Sequence, residues 1–184
     1  MRTVLTSLIA CALLTPAAEA VQADFSFKTQ RVGKWLVYAS FDYCNMLYDV
    51  EGSTPQNRVT LSLTYFPMRR SSMISMNSDN WRSLTRKHGS SIPVDFHFDS
   101  SSSKFSGAAS VYAQSRMTPS FILSINDVTT VELFETLRNA KTVSVMADER
   151  PLGPYGLDMT AEAVDKLMEC VTAARDQVKK DPFR

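Results

Sequence analysis

The sequence predicts a mainly β domain of β-sandwich-like antiparallel sheets with two α-helices, the last one C-terminal. Three observations carry this. Apolar and polar residues alternate with the period of half-buried strands from Lys34 onward, bend-favouring residues separate the alternating runs, and two later stretches change to the helical period.

The first alternating run places Trp35, Val37, Ala39 and Phe41 on one face. A turn at Asp42-Tyr43 follows, and Cys44, Met46, Tyr48 and Val50 repeat the pattern. Glu51-Gly52-Ser53-Thr54-Pro55 is a second turn. Val59, Leu61, Leu63 and Tyr65 then alternate with Thr60, Ser62 and Thr64, which predicts an antiparallel meander with one wet face. Further strands are expected at residues 73–76, 94–98, 105–113, 121–125 and 142–147, with the serine run 100–103 as a hairpin loop. Residues 148–156 are expected to be a loop, and Tyr155 within it is a candidate contact residue.

One helix is expected from a capping box at Thr129-Thr130-Val131-Glu132, with Val131, Phe134 and Leu137 as its apolar stripe, ending near Ala140. A second starts at Thr160 with Glu162 in its first turn, and buries Val164, Leu167, Met168, Val171 and Ala174. The tail from Lys179 to Arg184 is expected to fray.

The N-terminus predicts export. Arg2, an apolar run from Val4 to Pro16 and Ala18-Glu19-Ala20 are the three parts of a cleaved signal peptide, residues 1–20, with the cut before Val21 or alternatively after Ala23. The run is shorter than the ~20 apolar residues a bilayer span needs. Leu8-Ile9-Ala10-Cys11 resembles a lipidation box, but the apolar run continues past it, so anchoring at Cys11 is not expected. Residues 21–184 then form a single exported domain, periplasmic or secreted.

Of the three cysteines, Cys11 leaves with the signal peptide. Cys44 and Cys170 remain as an even pair, read most simply in an oxidising compartment as one disulfide joining the first hairpin to the last helix. A redox thiol is the alternative, disfavoured because no C-x-x-C motif is present.

A net charge of +1 argues against nucleic-acid binding through bulk charge. Arg69, Arg70, Arg82, Arg86 and Lys87 nevertheless bunch around a single acid, Asp79. They form either a solvated rim or a contact face for an anionic envelope polymer or acidic partner. Asp95, His97 and Asp99 share a strand face, a possible metal half-site or acid–base pair, although polar alternation alone produces the same pattern. Met68, Met73 and Met76 suggest soft-metal ligands, but an odd spacing turns Met73 and Met76 to opposite faces. The chain has no Gly-x-Ser-x-Gly elbow and no phosphate-binding glycine loop, and no cofactor is expected.

The early strand Gly33-Lys34-Trp35-Leu36-Val37, the helix-to-strand passage Leu133-Phe134-Glu135-Thr136-Leu137-Arg138-Asn139-Ala140-Lys141-Thr142-Val143-Ser144-Val145 and the segment 157–167 together resemble the invasion-associated locus B family of exported alphaproteobacterial proteins. The likeness covers residues 33–41 and 129–170. Family members carry more cysteines than this chain, and its middle has no clear counterpart. The resemblance implies a β-sandwich-like periplasmic or surface protein linked to invasion or envelope function, with no catalytic residues to carry over. The leading expectation is a non-enzymatic module that binds an envelope or host protein or a cell-wall polymer. An inhibitor or immunity-type protein, and a metal-binding protein or hydrolase using Asp95, His97 and Asp99, are the alternatives.

Overall fold

The computed structural model describes residues 27–40, 42–50, 58–113 and 118–180, with side chains as far as residue 176. The signal peptide and its cleavage sites, Cys11, Phe41, the turn at residues 51–55 and the extreme C-terminus lie outside the described residues.

The described chain runs β1 (Gln30–Val32), β2 (Trp35–Ser40), β3 (Tyr43–Asp49), β4 (Val59–Phe66), β5 (Ser71–Ser78), a 3₁₀ turn (Arg82–Lys87), β6 (Ser91–Phe98), β7 (Lys104–Tyr112), β8 (Ser120–Ile125), α1 (Asp127–Asn139), β9 (Thr142–Ala147), β10 (Arg150–Gly156) and α2 (Thr160–Lys180). The strands form one sheet in the order β1-β2-β3-β4-β5-β8-β7-β6-β9-β10, and every pairing in it is antiparallel. The mainly β antiparallel architecture read from the alternation is therefore present. Trp35 and Val37, Met46 and Tyr48, Leu61 and Leu63, Ile74 and Met76, Phe121 and Leu123, Val94 and Phe96, and Val143 and Val145 all fall on the same buried face.

That face is closed by coiling of the sheet. β2 and β10 stand eight places apart in the strand order, which on a flat sheet is about 38 Å at about 4.8 Å per strand. Yet Asp158, only two residues beyond β10, accepts a 2.7 Å hydrogen bond on its carbonyl from Trp35 Nε1 and donates its N–H to the Tyr48 hydroxyl at 3.2 Å. Two residues of chain reach about 7 Å at most. The sheet must wrap round its apolar face for these contacts to exist, which makes the sandwich-like layering out of one continuous sheet. The β1–β2 turn follows the same constraint. Gly33 has φ +57°, and a Cβ there would lie 2.9 Å from Met159 Sδ, so the backbone needs glycine both for its conformation and for the close approach.

α2 packs across β1, β2 and β3, and α1 packs against α2 and β5. α2 buries Ala163, Val164, Leu167, Cys170, Val171 and Ala174, the stripe expected from its periodicity. Cys170 is joined to Cys44 on β3 by a disulfide.

α1 departs from expectation. Its N-cap is Asn126, whose side chain accepts the Thr129 N–H at 3.0 Å, so Thr129 lies inside the helix. Its buried face is Thr130, Leu133, Thr136 and Leu137, while Val131 is 58 % exposed. The stripe is rotated because Thr130 has polar partners at the interface: its hydroxyl donates to the Asn126 carbonyl and lies 2.8 Å from Ser72 Oγ on β5.

Residues 148–156 also differ from the expected loop. Asp148 and Glu149 have φ +51° and +64°, and Ala147 pairs with Arg150. Two consecutive left-handed residues between paired strands make the two-residue turn whose twist matches a hairpin. β10 is thus an edge strand, with a register shift between Leu152 and Tyr155. Pro151 and Pro154 sit where no further strand is served, and they discourage another chain from adding there.

Candidate functional site

The basic residues that bunch in sequence are divided by the fold. Arg69 and Arg70 occupy the β4–β5 turn, whereas Arg82, Arg86 and Lys87 lie on the 3₁₀ turn beyond the other end of β5. The eight residues of β5 separate the two groups by about 26 Å. Arg69 stands 5.4 Å from the centre of the Phe66 ring and 3.9 Å from Asp42. Phe66 in turn meets Tyr43 edge-on at 5.8 Å, and Tyr43 meets Tyr38 at 6.5 Å.

The second group borders a cleft of about 400 Å³ where the core opens between the 3₁₀ turn and the β9–β10 hairpin. Its floor is the inner face of the sheet: Ile92 on β6, Phe121 on β8, Ala147 on β9 and Leu152 on β10. The 3₁₀ segment supplies the opposite wall with Trp81 and Leu84. Trp81 stacks on Phe121 at 5.2 Å between centroids and 14° between planes, a geometry that fixes the indole without burying it completely.

Short-range ties hold this wall. The Gly89 N–H donates to the Val111 carbonyl and the Val111 N–H to the Ser90 carbonyl, each near 3 Å. The Ala113 N–H donates to His88 Nδ1 at 3.2 Å, so His88 serves as a backbone acceptor at the end of β7. The opposite wall is tied by the Asp148 N–H to the Pro93 carbonyl at 2.9 Å and by the ion pair of Lys87 with Asp148. Sequence reasoning named Arg86 and Lys87 here and set Arg150 and Leu152 in a loop suited to binding contacts, but it missed Trp81 and Leu84. A tryptophan just after a strand, followed by arginines, was the available signal.

Tyr155 is on β10 outside the cleft, half-buried beside Gly153, and burial pushes its hydroxyl pKa above the ordinary tyrosine value. Asp95 and His97 do share the outer face of β6, opposite Ser106 and Lys104 on β7. Asp99 lies beyond the strand, where Oδ1 accepts the N–H groups of Lys141 at 2.9 Å and Thr142 at 3.1 Å. Among the described residues no three His, Cys, Asp or Glu side chains are grouped to hold a metal ion. Met76 is fully buried, and Met73, on the neighbouring odd position, faces the other side of β5.

The Asp99 clamp predicts a pH effect. Desolvation alone would raise its pKa, but the backbone N–H groups of Thr142 and Lys141 outweigh that and hold it below the usual carboxylate value. A depressed folded pKa contributes stability above the unfolded value of about 3.9 and loses it as pH falls through the folded one. Asp99→Asn is therefore expected to be less stable than the wild type at pH 7 by under about 1 kcal/mol, the site being solvent-screened. The gap should close below pH ~4. Urea melts of both proteins at pH 7 and pH 3 measure this, and a gap that widens in acid would contradict it.

A second hollow of about 260 Å³ lies between α1, α2 and β4. Its cationic groups are engaged. Arg138 pairs with Asp165 at 2.5 Å, clasping α1 to α2, and Arg175 donates to the Tyr65 hydroxyl at 2.7 Å.

No family model matches the sequence, and no curated protein matches it. Among solved structures the chain is similar to invasion associated protein B from Bartonella henselae, with a TM-score of 0.52 and 14 % sequence identity, over 77 % of this chain and 96 % of that one. The two share a fold, and the resemblance first suggested by residues 33–41 and 129–170 is a structural one. Among the described residues no helix is long and apolar enough to cross a membrane.

Proposed function

We propose that this chain is an exported, non-enzymatic binding module of the bacterial cell envelope, and that its contact site is the cleft between the 3₁₀ turn and the β9–β10 hairpin. The cleft carries the reading. An open hollow floored by Phe121, Ile92 and Leu152 and walled by Trp81 and Leu84 leaves apolar surface unfilled where the core reaches solvent beside basic side chains. The fold shared with a Bartonella protein named for invasion supports a virulence-linked or envelope role. Export is supported by the signal-like N-terminus and by the Cys44–Cys170 bond, which an oxidising compartment preserves.

Two measurements test this in the native host. The mass of the chain from the envelope fraction should begin at Val21 and fall two hydrogens short of the dithiol. A chain beginning at Met1 with free thiols would end the export reading. Replacing Leu84 with the photo-cross-linker benzoylphenylalanine should give a discrete adduct in the intact envelope. The same replacement at Val128, exposed on α1, should not. Equal labelling at both positions, or none at Leu84, would sink the cleft as the contact site.

A further inference from the structure

The cleft combines an apolar floor with surplus positive charge. Its charged lining is Arg86, Lys87, Asp148 and Arg150. Lys87 and Asp148 neutralise one another as an ion pair. Arg86 and Arg150 have no ion-pair partner among the described residues. Arg150 is also placed unusually. It pairs with Ala147, and directly opposed residues of an antiparallel pair project to the same side. Ala147 is buried on the core face, so Arg150 stands on that face too, at the edge of the sheet where the core becomes the cleft.

We propose that the cleft takes an acidic peptide segment of a partner protein. One aromatic or branched apolar side chain lies against Trp81, Leu84 and Phe121, and a neighbouring carboxylate is held by Arg86 and Arg150. This rests on the cleft being the contact site and names what enters it. Charge complementarity selects the anion, because guanidinium groups offer carboxylates forked, charge-assisted hydrogen bonds. Size selects the carrier. About 400 Å³ accommodates one or two side chains and is far smaller than the space two acyl chains occupy, which favours a peptide over an anionic lipid.

The test uses the mature, disulfide-bonded protein and fluorescence anisotropy with a labelled hexapeptide, two glutamates on either side of Leu-Phe. Parallel probes replace all four glutamates by glutamine, all four by lysine, or Leu-Phe by Ala-Ala. The acidic apolar peptide is expected to bind best. Arg86→Gln and Arg150→Gln should each weaken it about tenfold, the loss of one charge-assisted contact. The double reversal R86E/R150E should turn the preference to the lysine probe, a gain that unfolding cannot produce. Leu84→Ser should weaken the Leu-Phe peptide and leave the Ala-Ala peptide unchanged.

Equal binding of the glutamate and glutamine probes would overturn the proposal, as would no binding at millimolar peptide. Arginine-dependent sedimentation with phosphatidylglycerol vesicles in the absence of peptide binding would overturn it in favour of a lipid. If the peptide fails while the Leu84 cross-link persists in the envelope, only the ligand class falls. If both fail, the cleft falls as the contact site as well.

Discussion

The double variant C44A/C170A is expected to melt about 6–20 °C below the wild type, from a loss of about 3–5 kcal/mol at about 2–4 °C per kcal/mol for a domain of this size. The bond closes a sequence separation of 126 residues, and chain entropy of the unfolded state grows with the logarithm of loop length, so a loop this long lies near the upper end of the effect. The native state adds a second reason. Cys170 sits in the buried stripe of α2, and Cys44 sits on β3 beneath it, so the bond fixes the helix onto the strands whose inner face it covers. Alanine is the suitable replacement because both positions are fully buried, and serine would strand a hydroxyl there. Reduced wild-type protein should melt with the variant. A variant as stable as the oxidised wild type would show that helix packing alone holds α2 in place.

Much of the fold was legible because one face of the sheet is apolar along nearly its whole length. At β4 and β6 the alternation is strict, and the structure keeps it: Val59, Leu61, Leu63 and Tyr65, then Ile92, Val94, Phe96 and Phe98, all point inward. What escaped has physical causes. β10 was hidden because its turn uses Asp148-Glu149 where a hairpin usually shows Asn-Gly or Asp-Gly, and because two prolines make the run look unlike a strand. The buried face of α1 was misplaced by one position because its interface is half threonine, and hydrophobic periodicity cannot see Thr130 and Thr136.

The cleft was legible only in part for a different reason. Arg86 and Lys87 share a short segment with Arg82 and could be noticed together, but Arg150 and Leu152 come from a strand more than sixty residues later. The sheet order, with β9 joining β6 and β10 joining β9, is what delivers them to the same opening. The apparent partnership of Arg69 and Arg70 with that group follows from sequence proximity, which a fully extended strand then undoes. Asp99 teaches the same lesson on a smaller scale. It continues the Asp95-His97 alternation in sequence, but the strand ends at Phe98 and its carboxylate turns to cap the start of β9.

Trp35→Ala is expected to cost about 3–5 kcal/mol, enough to leave the domain marginal. Trp35 is fully buried, 4.6 Å from Tyr48 between ring centroids. Its indole N–H and the Tyr48 hydroxyl together satisfy the carbonyl and N–H of Asp158. Those two bonds join the β10 end of the sheet to β2 and β3, so they bear on closure of the whole coil as well as on local packing. Conservative variants separate the contributions. Tyr48→Phe keeps the ring and loses the acceptor for the partly buried Asp158 N–H, an expected loss of about 1 kcal/mol. Trp35→Phe loses the donor and part of the ring, about 1–2 kcal/mol together. Because both act on the backbone of the same residue, W35F/Y48F should depart from additivity by at least about 0.5 kcal/mol in chemical denaturation. Hydrogen exchange at the Asp158 amide should quicken in Tyr48→Phe beyond the global change in stability, since that amide then opens without unfolding the sheet. Strict additivity with unchanged exchange would mean that apolar burial alone curls the sheet, and that the Asp158 clasp merely decorates a closure the core has already made.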